Sequence, residues 1–552
     1  MVKKKILELI QKAVKKVFGK IEIEKFEIEY PKNKNFGDYS TNLALILAKV
    51  LKKNPVEIGE KIKNQISKSK VNFFEKIEIV KPGFINFFLK KEFLQKKVLE
   101  ILKERENFGK LKIGKNQKVQ VEFISANPTG PLHVGHGRSA FFGDLLAKVL
   151  EKAGYKVEKE YFINNGKFNT QIRILGQTAL GKGNAYLTEE LKSQISKLKT
   201  KLKKIKNEGE AGHLLAQEIQ KQNKKFIEEK LKIKFDNFVS EQKLYEEGKI
   251  EKIFEWLKKK GLTYEKDGAI WLKLSQFGAE KDEVLMRKDG TPSYFLSDIA
   301  YHKFKFERKF KKIINIWGAD HQVHVKRMKI LAKILGYKGD FEILISQIVT
   351  LKGGKKFSKR KGEIITLQQL IDEVGLDVAR FFYLTKSLST QMEFDLDLAK
   401  EQSEKNPVYY IQYAHARICS ILKKINPAPE QSTVRGCPES CFAPVQGKNQ
   451  KSKIKKIEKN LNLLNHPAEL ELIKQLIKFP EIIGDCAKDY QLQRIPQYAL
   501  DLASLFHQFY QECKVLTENK NLMEARVSLI LATKIVLKSV LDLMGISAPE
   551  KM

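Results

Sequence analysis

One stretch limits the fold of this 552-residue chain more than any other. KVQVEFIS, residues 118–125, alternates apolar and polar positions like a buried strand. ANPTGPLHVGHGRSA follows at 126–140, rich in glycine and proline. FFGDLLAKVLEKAG, 141–154, then carries Leu145, Leu146, Val149 and Leu150 on one helical face. A strand, a glycine-rich turn and a helix in that order form the phosphate-docking corner of an open α/β sheet. The neighbouring sequence agrees. KVEKEYFI (156–163), KIINIWGAD (312–320) and FEILISQIVTL (341–351) read as further strands separated by helical stretches. That alternation predicts a doubly wound parallel sheet.

The flanks read differently. Residues 1–110 suggest a small α/β unit, with Ile6, Leu7, Ile10, Val14, Val17 and Phe18 at helical spacing and a strand–turn–strand in FEKIEIVKPGFINFFL. The catalytic-type sheet is expected over 111–392. It holds a helical insertion at about 176–270, whose Lys-rich helices fill 188–235. From 393 to 552 the pattern is helical, interrupted by a polar loop at 426–453.

Lys and Arg number 102 against 66 Asp and Glu, a net charge of +36. So large a surplus points to a polyanion, with nucleic acid as first candidate and a lysine-rich coding bias as the plain alternative. The five cysteines (419, 437, 441, 486, 513) are too few and too scattered for a disulfide framework. Cys437 and Cys441 form a CxxxC with no second pair nearby, so no metal site is expected and the segment reads as a loop. No apolar run approaches the roughly 18–20 residues of a membrane span. The basic start, MVKKKILELIQKAVKKVFGK, reads as a folded amphipathic helix, and a cytoplasmic location is expected.

Two constellations carry chemistry. In HVGH, His133 and His136 lie at a helix start, where imidazole N–H groups, backbone amides and the helix dipole all favour a bound phosphate. Gly135 and Gly137 would let a base and ribose approach closely. An ordinary turn with two satisfied histidines explains the same residues. In GGKKFSKRKG, 353–362, Lys355, Lys356, Lys359, Arg360 and Lys361 crowd a glycine-started loop after a strand. Such a loop could offset charge on a leaving pyrophosphate. A solvated basic turn is its plain alternative.

Together, HVGH followed by KFSKR resembles the HIGH and KMSKS pair of class I aminoacyl-tRNA synthetases. VEFISANPTGPLHVGHGR, DGTPSYFLSDIAYHKFKFER, WGADHQVHVKRMK, FGDYSTNLALILAK, PGFINFFL, NPVYYIQYAHAR and the closing ISAPEKM are similar to bacterial arginyl-tRNA synthetases. The resemblance runs from about residue 30 to Met552. It implies a Rossmann-type catalytic domain, an N-terminal α/β domain that binds tRNA and a C-terminal all-α domain that binds the anticodon. It also implies ATP with Mg2+, L-arginine and tRNA(Arg) as ligands, and a monomer.

Position by position, the resemblance gives His133, His136, Lys356 and Lys359 the catalytic roles. Pro128, Thr129, Gly130, His133, Gly135, His136, Phe357, Ser358 and Lys359 fall to ATP. Arginine falls to Glu122, Ser125, Asn127, His133, Tyr294 and Asp298, with Asp320 and His321 from GADHQVH, where Gln322 is a third candidate. Asn42, Tyr409, Tyr413 and Met552 fall to tRNA. A guanidinium offers five N–H donors in a planar fork, which suits a carboxylate such as Asp298. One stretch departs from the family: FINNGKFNTQI has Asn165 in place of an acid and extra residues before Gln171, so Asn164 and Asn165 are left without a role. Two rival readings remain. One is a class I synthetase for another amino acid, which Asp298 and Tyr294 oppose; the other is an RNA-binding protein without catalysis.

Overall fold

The computed structural model describes residues 1–21, 26–69, 71–354, 365–425 and 448–552. The expected sites Lys356, Phe357, Ser358 and Lys359, and the Cys437/Cys441 loop, lie outside the described residues.

Helix α1 (Val2–Phe18) buries Val2, Ile6, Ile10, Ala13 and Val14, the three-to-four spacing of one face, and stops at Gly19 with φ 79°. Helices α2 (Leu43–Leu51) and α3 (Pro55–Ser67) follow strand β1 (Tyr39–Thr41). The Asn54 side chain accepts from Val56 N and Pro55 opens α3, a local start signal independent of packing. Strands β2 (Phe74–Val80) and β3 (Phe84–Leu89) complete an antiparallel sheet of order β1-β3-β2, and α4 (Lys91–Glu104) leads out of it.

The central sheet contains β4 (Lys118–Glu122), β5 (Lys156–Ile163), β6 (Asn237–Ser240), β10 (Lys312–Gly318) and β11 (Asp340–Ser346). Their order is β11-β10-β4-β5-β6, with every pair parallel. Val119 and Val121 on one face of β4 and Gln120 on the other have no exposed surface, as a central strand covered on both faces requires. Helix α5 (Val134–Lys152) crosses from β4 to β5. Strand order reverses between β4 and β10, and ligands of doubly wound sheets bind beyond the strand ends at such a reversal. Gly143 lets α5 lie on β4, since a Cβ there would fall 2.2 Å from Phe123 Cγ.

The insertion needs correction. Its first part is helical: α6 (Thr170–Ala179), α7 (Glu189–Lys197), α8 (Lys199–Leu202) and α9 (Glu208–Glu229). Beyond them, β6 is the edge strand of the main sheet, so 176–270 is not a purely helical insertion. Helices α10 (Glu241–Glu246) and α11 (Lys249–Lys259) precede an antiparallel sheet of β7 (Thr263–Lys266), β8 (Ala269–Leu272) and β9 (Glu283–Met286). Each of these strands spans four residues, too short for an alternation to stand out in sequence.

Helix α12 (Tyr294–Glu307) leads into β10, and α13 (His324–Ile334) joins β10 to β11. Strand β12 (Val349–Leu351), split from β11, pairs with β13 (Met392–Phe394) around α14 (Leu367–Val374) and α15 (Leu376–Leu384). After α16 (Leu396–Lys400) the chain is helical: α17 (Pro407–Ile425), α18 (Lys448–Leu461), α19 (Pro467–Asp489), α20 (Arg494–Glu512) and α21 (Lys520–Met544). No helix among the described residues is long and apolar enough to cross a membrane.

Two buried polar hubs join these parts. Arg380 of α15 donates to Asp144 Oδ2 of α5 (2.9 Å), to the Met544 carbonyl (3.1 Å) and to the Leu231 carbonyl (2.6 Å). Glu481 of α19 accepts from Lys3 N (2.7 Å), Tyr30 OH (2.6 Å) and Tyr39 OH (3.1 Å), which fastens the N-terminal unit to the helical region.

Candidate active site

The turn after β4 holds Ile124 at φ 67° and Ser125 at φ 39°, a left-handed conformation that side chains resist. Such strain persists where surrounding contacts enforce it. Ser139 Oγ accepts from Ile124 N (2.9 Å), and Tyr161 OH holds both the amide and the carbonyl of Ala126 (3.1 and 3.2 Å). Pro128 is buried, Thr129 and Gly130 are half-buried, and the Gly130 carbonyl accepts from Asn223 Nδ2. Asn127 is exposed at the outer bend of this turn.

His133 is the N-cap of α5. Its Nδ1 accepts from Gly135 N (3.1 Å), while His136 Nδ1 accepts from His133 N (3.1 Å). An imidazole nitrogen that accepts carries no proton, so both rings hold their proton on Nε2. Their centroids are 3.7 Å apart. Burial keeps both rings neutral: His133 is lowered from its usual range, and His136 is lowered to about 3 by burial and by His133. The result is two neutral Nε2–H donors at a helix start whose first amides are already bonded, so the rings and the helix dipole, not free backbone N–H groups, suit the site to phosphate oxygen.

The glycines act otherwise than expected. A Cβ at Gly137 would lie 2.8 Å from Tyr383 Cζ and 2.9 Å from Leu367 Cδ1, so this buried glycine serves helix packing. A Cβ at Gly135 would lie 2.9 Å from His133 Cε1, so that glycine makes room for the capping ring. The chain just after the cationic loop is fixed to the same turn. Val134 N donates to the Ile365 carbonyl (3.1 Å), and Leu367 N to the Leu132 carbonyl (2.8 Å).

On the other side of β4 a cavity opens between β4, β5, α12 and β10. Glu122, Ser125, Asn164, Tyr294 and Asp298 line its polar wall, with Phe162, Tyr301, Ile316 and Trp317 behind them. Glu122 is 3% exposed; it accepts from Ser125 Oγ (2.9 Å) and from Lys305 Nζ (2.6 Å). Burial opposes its ionisation, but the Lys305 ammonium prevails and holds it below the usual carboxylate range. Asp298 is the reverse. Burial, then the like charges of Glu241 and Glu122, push its carboxyl well above the usual range. Tyr294, at the start of α12, is pushed well above the usual phenol range, first by Asp298 and then by burial. The pocket therefore holds more carboxylates than cations, and a cationic ligand would correct the imbalance.

His321 and His324 complete the rim, whereas the Asp320 side chain is 79% exposed and Gln322 is exposed. Asn164 lines the cavity, and its buried Oδ1 has no hydrogen-bond partner. Asn165 acts as a clamp, its Oδ1 accepting from Ser240 Oγ (2.8 Å) and Gln242 N (3.2 Å). Sequence reading missed Glu241, His302, Lys305 and Asn315. One signal was present: Asp298, His302 and Lys305 fall at i, i+4 and i+7 of one helix, a polar stripe on the face turned inward.

Away from the cavity, Asn42 is exposed at the start of α2, and Met552 is 51% exposed. Tyr409 and Tyr413 are half-buried on α17. Arg417 lies 5.2 Å from the Tyr413 ring and 5.5 Å from that of Tyr510, a cation between two aromatic faces. No group of three or more His, Cys, Asp or Glu that could hold a metal occurs among the described residues.

The model of the class I (R) tRNA synthetase catalytic domain matches residues 97–213 and 183–381. That of the arginyl-tRNA synthetase N-terminal domain matches 4–89, and that of the DALR anticodon-binding domain 443–552. An arginine–tRNA ligase of Caldanaerobacter subterraneus is 42% identical over 574 residues, covering 100% of this chain and 98% of that protein. The chain belongs to the arginyl-tRNA synthetase family. A Bacillus subtilis arginine–tRNA ligase is 42% identical over 95% of this chain and 94% of its own length. Among solved structures, a putative arginyl-tRNA synthetase of Campylobacter jejuni superposes with TM-score 0.70 at 32% identity, covering 84% of this chain and 100% of that one. The Thermus thermophilus arginyl-tRNA synthetase shares the fold with TM-score 0.77 at 23% identity, with both chains fully covered. In this member of the family, neutral ring donors lie at the start of α5 and carboxyl groups line the cavity between β4 and α12.

Proposed function

We propose that the chain is an arginine–tRNA ligase that activates L-arginine with ATP to arginyl-adenylate, releases pyrophosphate, and passes arginine to the 3′-terminal ribose of tRNA(Arg). The observation that carries this reading is the half-buried Asp298 carboxyl, hydrogen-bonded by Tyr294 and raised by burial, Glu241 and Glu122, in a cavity at the end of the same strand that leads to two neutral histidines at a helix start. The guanidinium enters the cavity and meets Asp298 in a bidentate pair. The substrate carboxylate then attacks the α-phosphate in line, and no side chain acts as nucleophile. Rate comes from positioning and from donors aimed at developing charge. His133 and His136 supply Nε2–H donors to phosphate oxygens, beside Pro128, Thr129 and Gly130. Lys359 and Lys356, with Phe357 and Ser358, take the pyrophosphate side. Mg2+ enters with ATP, held by its phosphates.

Glu122, Ser125 and Asn127 seat the main chain of the amino acid, with His321 at the rim. Residues 1–110 and 393–552 hold the tRNA, with Asn42, Tyr409, Tyr413 and Met552 facing it and the +36 charge meeting phosphates. We place the enzyme in the cytoplasm as a monomer.

The test is ATP–pyrophosphate exchange against all twenty amino acids, with and without total tRNA. Exchange with arginine alone is expected. Exchange with another amino acid, or none from folded protein that still binds tRNA, would overturn the reading.

A further inference from the structure

A buried polar chain runs behind the cavity from the Glu122 carboxylate to the main-chain carbonyl of Asp298. Lys305 lies at its centre, its side chain wholly buried and outside the cavity wall. Its ammonium makes two hydrogen bonds and one contact with an aromatic face. One meets Glu122 Oε2 at 2.6 Å, one meets Asn315 Oδ1 at 2.7 Å, and the ammonium lies 4.7 Å from the Tyr301 ring. Asn315 and Glu122 are directly opposite on adjacent parallel strands, which brings their side chains to one lysine. Because Asn315 Oδ1 accepts from Lys305, its amide Nδ2 faces His302 Nε2, at 3.0 Å. His302 Nε2 is then the acceptor, and its Nδ1–H donates to the Asp298 carbonyl at 2.8 Å. The donors thus run in a single direction outward from the ammonium.

We propose that Lys305 is a positioning residue for arginine recognition: it fixes the Glu122 carboxylate directly and, through Asn315 and His302, the turn of α12 that presents Asp298. The proposal rests on the arginine-pocket reading above. It adds a device that couples the two ends of the pocket, so that neither carboxylate is set independently. A lysine is suited to the place because an ammonium donates in three directions and accepts none. Burial beside Lys305 also keeps His302 neutral, lowered to about 4, which preserves the direction of the chain.

The experiment compares wild type, Lys305→Met and Asn315→Asp in arginine-dependent pyrophosphate exchange, with ATP KM and tRNA binding measured in parallel. Asn315→Asp keeps the shape, gives Lys305 a second carboxylate to share and withdraws the donor from His302. Lys305→Met is expected to raise the arginine KM at least tenfold and Asn315→Asp several-fold, with ATP KM and tRNA affinity unchanged. In a Glu122→Gln background, Lys305→Met should lose most of its effect on arginine KM, because the two act as a unit. An unchanged arginine KM in either folded variant, or additive effects with Glu122→Gln, would overturn the proposal. If Lys305→Met fails to fold, Asn315→Asp decides the matter. Absence of arginine-dependent exchange in wild type would instead defeat the functional reading.

Discussion

The two sides of β4 solve opposite problems. At the start of α5, every ring nitrogen that faces the backbone is used: each histidine Nδ1 accepts from an amide, and each ring is neutral with its proton directed outward. Behind α12, Glu122 is satisfied by Lys305, but the half-buried Asp298 and the buried Glu241 are carboxyls pushed above their usual range. One side is complete and offers donors to an anion. The other is charge-imbalanced and waits for a cation. On the proposed function, ATP would meet preorganised donors and arginine a carboxyl whose ionised form the free pocket disfavours.

The comparison breaks most sharply if the phosphate side is disabled. His136→Ala and Lys359→Ala should each lower adenylate formation by roughly 10²–10³-fold, the usual cost of one transition-state donor, with little change in tRNA affinity. Single-turnover exchange checks this, and near-normal rates in either variant would remove that residue from the reaction. Next in size is the cation side. Asp298→Ala should raise the arginine KM by about 10²-fold and weaken the discrimination against citrulline, since the rejecting charge is gone. Steady-state exchange with both compounds reads the two effects.

The charge deficit also predicts a pH dependence. Burial and the neighbouring carboxylates favour the protonated form of Asp298 in the free pocket and a guanidinium favours the ionised form, so arginine binding is linked to proton release. The arginine KM should therefore fall as pH rises through the range above ordinary carboxylates, and Asp298→Asn should flatten that trend. For the histidines the shift is downward, and it bears on stability. His136 is lowered to about 3 and His302 to about 4, so the unfolded chain takes up protons first, from about pH 6.5 downward. Their contribution to stability is full above that pH and is lost progressively toward pH 4. His302→Asn should show a smaller drop in melting temperature over this interval. The smallest effect belongs to exposed pairs such as Lys538–Asp542, where removal should change stability by less than about 0.5 kcal/mol in a denaturant titration.

Much of this architecture was legible from local pattern. The strand–turn–helix at 118–154 and the strands beginning at 156, 312 and 340 fall where alternation and spacing put them, because a central parallel strand must be apolar on both faces. His133 as a helix start followed from the same run of residues. Strand β6 was not legible: four half-buried residues at a sheet edge carry too little pattern, and only pairing with β5 defines them. Gly137 was given a ligand role on grounds of size, but its crowding comes from Tyr383 and Leu367, far along the chain.

The sequence alone determined the parallel-sheet class, the histidine-bearing turn, Asp298 as a candidate on α12 and the family resemblance, since each is written in residues close together along the chain. Tertiary structure decided which carboxylate is paired and which is left in need. Lys305 meets Glu122 across 183 positions, and Asp298 is left with Tyr294 and the more distant attraction of the same lysine. Burial and distance set the charge state of such groups, and neither exists until the strands and helices have packed.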